Sequence, residues 1–285
     1  MKNKIGVIGA GVVGNAIAFG FSKAGHTVKI HDIKLNTSIS DVLDTEIVYI
    51  CVPTPSLENS RCDVSIVESV VDELVKLKYE GVIAIKSTVE PGTTDMLISK
   101  YSDRQVVRTQ DARATSRYRI CFVPEFLRER CAIADFTENH DVCIIGSLDD
   151  SGYEDSPFEV VKRSHKPYPK KFIRCTPTEA ELCKYFNNLY NATLITFANS
   201  FYELCKKKNV DYSKVKNICV HRTNINNAYL DATETFRGFG GQCLTKDTQA
   251  IASLLHDLGV DVDFFDCILH ENAKYKTTVF DGMRE

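Results

Sequence analysis

The strongest constraint on what this chain can fold into is its first turn. Lys4 to Ala10 reads as a short buried strand that runs into Gly9-x-Gly11-x-x-Gly14, and Ala16, Ile17, Phe19 and Phe21 then mark an apolar helix. Strand, glycines and helix in that order make the first βα turn of a dinucleotide-binding sheet. One glycine allows the tight turn, one lets the backbone approach a pyrophosphate, and one lets helix pack closely on strand. The next strand, Thr27 to Ile33, contains Asp32 near its end, about where such a fold puts the carboxylate that meets the adenosine ribose. A free 2′-hydroxyl suits that carboxylate and a 2′-phosphate would be repelled, so NAD is expected rather than NADP. Gly9, Gly11, Val12, Val13, Gly14 and Asp32 are its expected contacts.

The alternation of strand and helix continues. Strand Ile47 to Val52 enters the stiff turn Pro53-Thr54-Pro55, helix Ser65 to Leu77 follows, and strand Val82 to Lys86 leads into Ser87-Thr88-Val89-Glu90-Pro91-Gly92. Thr54 and Thr88 thus lie at the strand ends where parallel sheets bind ligands, although loop threonines also cap helices. Strand Ile120 to Val123 enters Pro124-Glu-Phe-Leu-Arg-Glu129. Strands Asp141 to Gly146 and Lys171 to Cys175 flank an acidic, turn-rich connection at Asp149 to Pro157. The arginines 104, 108, 113, 117 and 119 form a run best read as a solvated face. The fold expected is α/β: a Rossmann-type doubly wound parallel sheet over residues 1–176, followed by a mainly α-helical domain over 177–285.

In the second part, Glu179 to Lys207 has a long helical pattern, with Glu181, Lys184 and Asn188 on successive turns of one face. Further on, Arg237-Gly-Phe-Gly-Gly-Gln-Cys243-Leu-Thr-Lys-Asp247 delivers a cysteine to the start of a helix spanning Leu244 to Leu258. A thiol at a helix N-terminus tends toward thiolate, the glycines let backbone approach a substrate, and Asp247 shares the helix face of Cys243 one turn on.

These segments resemble the nucleotide-sugar dehydrogenases, the UDP-glucose/GDP-mannose dehydrogenase family. The resemblance rests on the cysteine loop, the Pro-Thr-Pro turn, Lys86-Ser-Thr-Val-x-Pro-Gly-Thr-Thr94, Pro124-Glu-Phe-Leu-x-Glu129 and the helix Glu179-Ala-Glu-Leu-x-Lys-Tyr-x-Asn-Asn188. Departures are Thr245 for a family proline, Arg130 for a glycine and Ser200 in an Asn-Glu pair. The resemblance implies oxidation of the C6 alcohol of a nucleotide sugar to a carboxylate, UDP-glucose to UDP-glucuronate being the best match, with two NAD and no metal. Cys243 would be the nucleophile. Lys184 and Asn188 would stabilise an oxyanion, while Asp247, Glu125 and Thr88 would serve the hydrolytic water. Thr54, Thr88, Glu129 and Lys246 would touch NAD. The sugar would meet Glu125, Phe126, Leu127, Lys184, Asn188, Phe239, Gly240 and Gly241. The family's third domain, about a hundred residues, is expected to be missing, and a homodimer is expected through Phe264, Phe265, Ile268 and Leu269 of a last helical stretch near Phe264 to Lys276. Two other readings remain: a two-domain β-hydroxyacid dehydrogenase, in which the cysteine loop has no job, and a non-catalytic NAD-binding relative.

Composition narrows the partners. The chain has 285 residues with 44% hydrophobic and 26% charged residues and a formal net charge of −3, which gives no electrostatic case for nucleic acid or membrane. Eleven cysteines without a C-x-x-C pair, and no leader before the first strand, point to reduced thiols in the cytoplasm.

Overall fold

The computed structural model describes residues 2–101, 118–148, 153–240 and 243–275. The chain divides into two compact units, one of residues 1–55 and 62–184, the other of residues 56–61 and 185–285.

In the first unit the strands are β1 (Lys4–Ile8), β2 (Thr27–His31), β3 (Ile47–Ile50), β4 (Val82–Ile85), β5 (Arg119–Phe122), β6 (Val142–Gly146) and β7 (Lys171–Cys175). The helices between them are α1 (Val12–Lys23), α2 (Ser65–Lys76), α3 (Thr93–Tyr101), α4 (Ala132–Thr137) and α5 (Pro157–His165). One sheet of order β2-β1-β3-β4-β5-β6-β7 results. The central strands are apolar in nearly every position because both faces are covered. Val48, Ile50, Ile83 and Ile85 point into one core with Val67, Val71 and Leu74 of α2, whereas Ile47, Tyr49, Val82 and Ala84 point into the other with Ile17 and Phe21 of α1. The chain leaves β1 for β2 on one side and for β3 on the other, so the order reverses at β1, the switch point where such sheets bind ligands beyond their strand ends.

Two features depart from the sequence reading. The sheet is parallel from β2 to β5, but β6 pairs antiparallel to β5, through Phe122 and Gly146, and β7 follows β6 in parallel. The connection from β5 lacks a full crossover helix, having only a 3-10 turn at Glu129–Cys131 and the short α4, and a parallel return needs a longer crossover. The acidic connection also ends in a helix. Ser156 accepts from the Glu159 N–H and Pro157 opens α5, so capping starts a helix that periodicity alone did not reveal. Of the arginine run, residues 104, 108, 113 and 117 lie outside the described residues, and Arg119 spends its guanidinium on the carbonyls of Glu80 and Asp155 at 2.6 and 2.7 Å.

The long helix α6 (Pro177–Lys207) begins in the first unit and carries on into the second, where α7 (Tyr212–Cys219), α8 (Leu244–Asp257) and α9 (Phe264–Ala273) follow. Tyr185 and Leu189 pack with Ala250, Ala192 packs with Phe239 and Ile268, and Ala198 and Cys205 pack with Tyr212 and Leu230. Ser253 of α8 donates to the Asn59 carbonyl at 3.0 Å, which ties residues 56–61 to this unit. The four positions expected to pair subunits do not form one exposed face: Ile268 is buried and Phe265 is partly buried in the packing of α6 and α8, leaving Phe264 the most open. Helical spacing places one side of α9 inward, a choice that only its neighbours decide.

Candidate active site

The candidate residues fall into two sets, one in each unit. In the first, Gly9 has φ +97°, and a Cβ there would lie 2.5 Å from the Cys51 carbonyl oxygen, so no other residue fits between β1 and β3. A Cβ on Gly14 would overlap the Gly9 carbonyl, which lets α1 sit directly on the turn. Gly11 differs from both. It is exposed, and a Cβ there would meet no protein atom beyond its chain neighbours within 4 Å, so close packing does not demand glycine at this position. Gly11 also caps α1 without a side-chain bond, leaving the first helical N–H groups, Val12 and Val13 among them, to an anion. Val12 is exposed, while Val13 packs partly against the core. Beside them the Asp32 carboxylate accepts the Ala10 N–H at 2.7 Å and the Lys34 N–H at 2.8 Å, and these bonds hold it below the usual carboxylate range. A carboxylate has about four lone-pair positions, so acceptor capacity remains for a ribose diol. This cradle fits NAD.

Thr54 and Thr88 are half-buried in adjacent turns beyond β3 and β4. The buried Cys62 thiol joins those turns by donating to the Thr88 carbonyl at 3.3 Å and, more weakly, toward the Thr54 carbonyl at 3.9 Å. Ser87 adds a bond to the Val52 carbonyl at 2.7 Å. Neither Cys62 nor Ser87 stood out in sequence, because a loop thiol and hydroxyl show their purpose only when two loops meet.

Beyond β5, Glu125 and Lys184 form an ion pair of 2.8 Å with side chains only 10% and 5% exposed. The Lys184 ammonium also donates to the Glu125 carbonyl at 2.7 Å, and the other carboxylate oxygen accepts the Leu127 N–H at 2.7 Å. Burial by itself raises Glu125, but Lys184, the Leu127 N–H and Lys86 outweigh it and hold the carboxyl below its ordinary value. The Phe126 ring lies 6.0 Å from the same ammonium. Glu129 is exposed on the 3-10 turn. Its neighbour Arg128 is locked against Asp135 by bonds of 2.9 and 2.6 Å.

In the second unit the cysteine loop is held from both sides. Arg237 is buried, donates to Asn199 at 2.9 Å and Glu203 at 2.5 Å, and stacks with its guanidinium carbon 4.3 Å from the Tyr202 ring centre and 4.4 Å from that of Tyr275. The Asn272 amide brackets Phe239 by accepting its N–H at 2.7 Å and donating to its carbonyl at 2.8 Å. Gly240 is half-buried, and Gly241 lies outside the described residues. Cys243 is exposed at the N-cap of α8 with no side-chain capping bond, and its carbonyl accepts the Asp247 N–H at 2.9 Å. Asp247 is buried one turn on. One of its oxygens accepts the Asn188 amide at 2.6 Å, while the other makes no hydrogen bond and lies 2.8 Å from the Lys246 ammonium as an ion pair.

A glycine cradle of this geometry, at the switch point of a mostly parallel sheet, defines a dinucleotide-binding protein. The comparisons narrow this. Residues 31–166 match the model described as the UDP-glucose/GDP-mannose dehydrogenase family, NAD binding domain, and residues 178–274 match that family's central domain. The chain belongs to the UDP-glucose/GDP-mannose dehydrogenase family, a family of NAD-dependent oxidoreductases. It is 26% identical over 321 aligned positions to the UDP-glucose 6-dehydrogenase AglM of Haloferax volcanii, covering 99% of this chain and 72% of that one. To the GDP-mannose 6-dehydrogenase of Pseudomonas aeruginosa it is 28% identical over 246 positions, 84% of this chain and 53% of the relative. Among solved structures, a UDP-glucose dehydrogenase from Pyrobaculum islandicum superposes with a TM-score of 0.83 at 25% identity, over 97% of this chain and 69% of that one. Among the described residues, no helix is long and apolar enough to cross a membrane.

Proposed function

We propose that this chain is an NAD-dependent nucleotide-sugar 6-dehydrogenase that oxidises a primary alcohol to a carboxylate in two stages, with UDP-glucose the first substrate to test. The observation that carries the reading is Cys243, exposed at the start of α8 one turn from a buried Asp247 that accepts from Asn188 and forms an ion pair with Lys246. NAD, when bound in the Gly9–Gly14 cradle beside Asp32, accepts the two electron pairs that leave the sugar carbon.

The chain's own groups do the rest. After the alcohol has lost a proton from oxygen and a hydride from carbon and become an aldehyde, the Cys243 thiolate adds to its carbon, forming a C–S bond and an oxyanion held by Lys184 and Asn188. The second oxidation turns that adduct into a thioester. Water then cleaves the C–S bond, releasing the carboxylate and returning the thiol, with Asp247, Glu125 and Thr88 as the groups that orient it. The balance is one alcohol and one water to one carboxylate, with two NADH formed. Loss of one oxyanion donor typically costs about a hundred- to a thousandfold in rate, so Lys184 and Asn188 are as exposed to test as the cysteine. A reduced thiol is required throughout, which agrees with a cytoplasmic setting.

A second copy of the chain completes the reading. Phe186, Tyr190, Phe197, Phe201 and Leu204 are each 40% or more exposed and recur at helical spacing along α6, an apolar row suited to pairing with the same helix of a partner.

The test is stoichiometry with UDP-glucose, UDP-N-acetylmannosamine and GDP-mannose. Two NADH per sugar and an acid product are expected for the unmodified chain, with Cys243→Ser binding NADH normally yet forming no acid. Acid formation at the full rate by Cys243→Ser would remove the central claim.

A further inference from the structure

The first turns of α6 carry a second buried charge whose partners are backbone groups. Glu181 is fully buried, and its carboxylate accepts the Gly92 N–H at 2.6 Å and the Thr94 N–H at 2.8 Å. Those donors open α3, so a carboxylate from a helix distant in sequence caps α3 against the positive end of its dipole. Thr178, on the same turns, donates to Asp95 at 2.5 Å. Burial pushes the Glu181 carboxyl up, against the pull of these N–H groups. A buried carboxylate is a costly way to fill space, and what it grips is the end of one particular loop.

That loop runs from β4 to α3 and carries Thr88. Its start is tied to the end of β3 by Ser87 and its middle to Cys62, while its far end turns through Gly92, at φ +97°. Glu181 holds that far end. We propose that Glu181 is a positioning residue for the cofactor: by fixing the Gly92–Thr94 turn it sets the loop in the conformation that presents Thr88 to NAD. This rests on the reading that Thr88 meets NAD.

The experiment is NADH fluorescence titration of the full chain as wild type, Thr88→Ala, Glu181→Gln and the double variant. The amide of glutamine keeps one acceptor and aims a donor at the other N–H, so one of the two bonds is lost. Each single change is expected to weaken NADH about tenfold, the order for one hydrogen bond to a charged group, and the double variant to bind no more weakly than either single. Such coupling is the signature of acting through Thr88; a general loss of stability would lower melting temperature without producing it. Wild-type affinity in Glu181→Gln, with Thr88→Ala weakened, overturns the inference and leaves the Thr88 reading standing. Wild-type affinity in Thr88→Ala overturns both. Additive effects also overturn it, since Glu181 would then act elsewhere. If Glu181→Gln does not fold, Glu181→Asp carries the same cycle, because it keeps the charge but is too short to reach both N–H groups.

Discussion

Replacing Lys184 by methionine leaves Glu125 buried without its counter-charge, at little change of volume. Two bonds disappear, the 2.8 Å ion pair and the 2.7 Å bond to the Glu125 carbonyl, and only the Leu127 N–H still touches the carboxylate among its described hydrogen bonds. With both side chains nearly enclosed, solvent screens the pair weakly. Removing one partner of a buried pair typically costs about 3–5 kcal/mol, and that is the expected loss near neutral pH in equilibrium unfolding by urea followed by circular dichroism. Lys184→Met/Glu125→Gln should recover about 2 kcal/mol of it, since no charge is then stranded. The pH dependence gives an independent sign. In the wild type the Glu125 carboxyl lies below its ordinary 4.5, so its contribution is present above that value and lost as pH falls through the folded value. Without Lys184, burial is opposed by less and lifts the carboxyl above its ordinary value, so the variant should regain stability as pH falls through that raised folded value toward 4.5. A loss below about 1 kcal/mol that does not change with pH would refute the reasoning, because that is how a solvated pair behaves.

Asp32→Ala should weaken NAD binding and narrow the preference over NADP, measured as the ratio of the two affinities; an unchanged ratio would show that Asp32 does not meet the ribose. His140 should make the first unit acid-sensitive. Burial, then Lys86, lowers it from 6.5 to about 4, so the unfolded chain takes up a proton below 6.5 that the folded chain refuses, and stability falls with pH across that window. His140→Gln should reduce the stability difference between about pH 7 and about pH 4.5 by about 2 kcal/mol, and an unaltered difference would discount the group. Sedimentation should show a dimer at micromolar concentration, shifting toward monomer in Phe197→Glu/Phe201→Glu; a monodisperse wild-type monomer that still oxidises the sugar would count against pairing through α6.

The sequence by itself determined the elements whose signal is local. Runs such as Ile47–Ile50 and Val82–Ile85 are apolar throughout, and only strands covered on both faces are built that way. Gly9 and Gly14 were legible because a close approach demands glycine, and Cys243 because the helix that starts after it announces its own N-terminus. Asp247 could be placed one turn from Cys243 by the helical repeat alone. Tertiary structure decided what each charged or polar group faces. Lys184 meets Glu125 and Asn188 meets Asp247 across 59 residues of chain each, and Glu181 reaches Gly92 across 89. Periodicity carries no information about partners at such separations, and a charge read in isolation is most economically assigned to solvent. The direction of β6, the inward side of α9 and the stitch made by Cys62 belong to the same class: each depends on which element arrives alongside, and that is settled only when the layers pack.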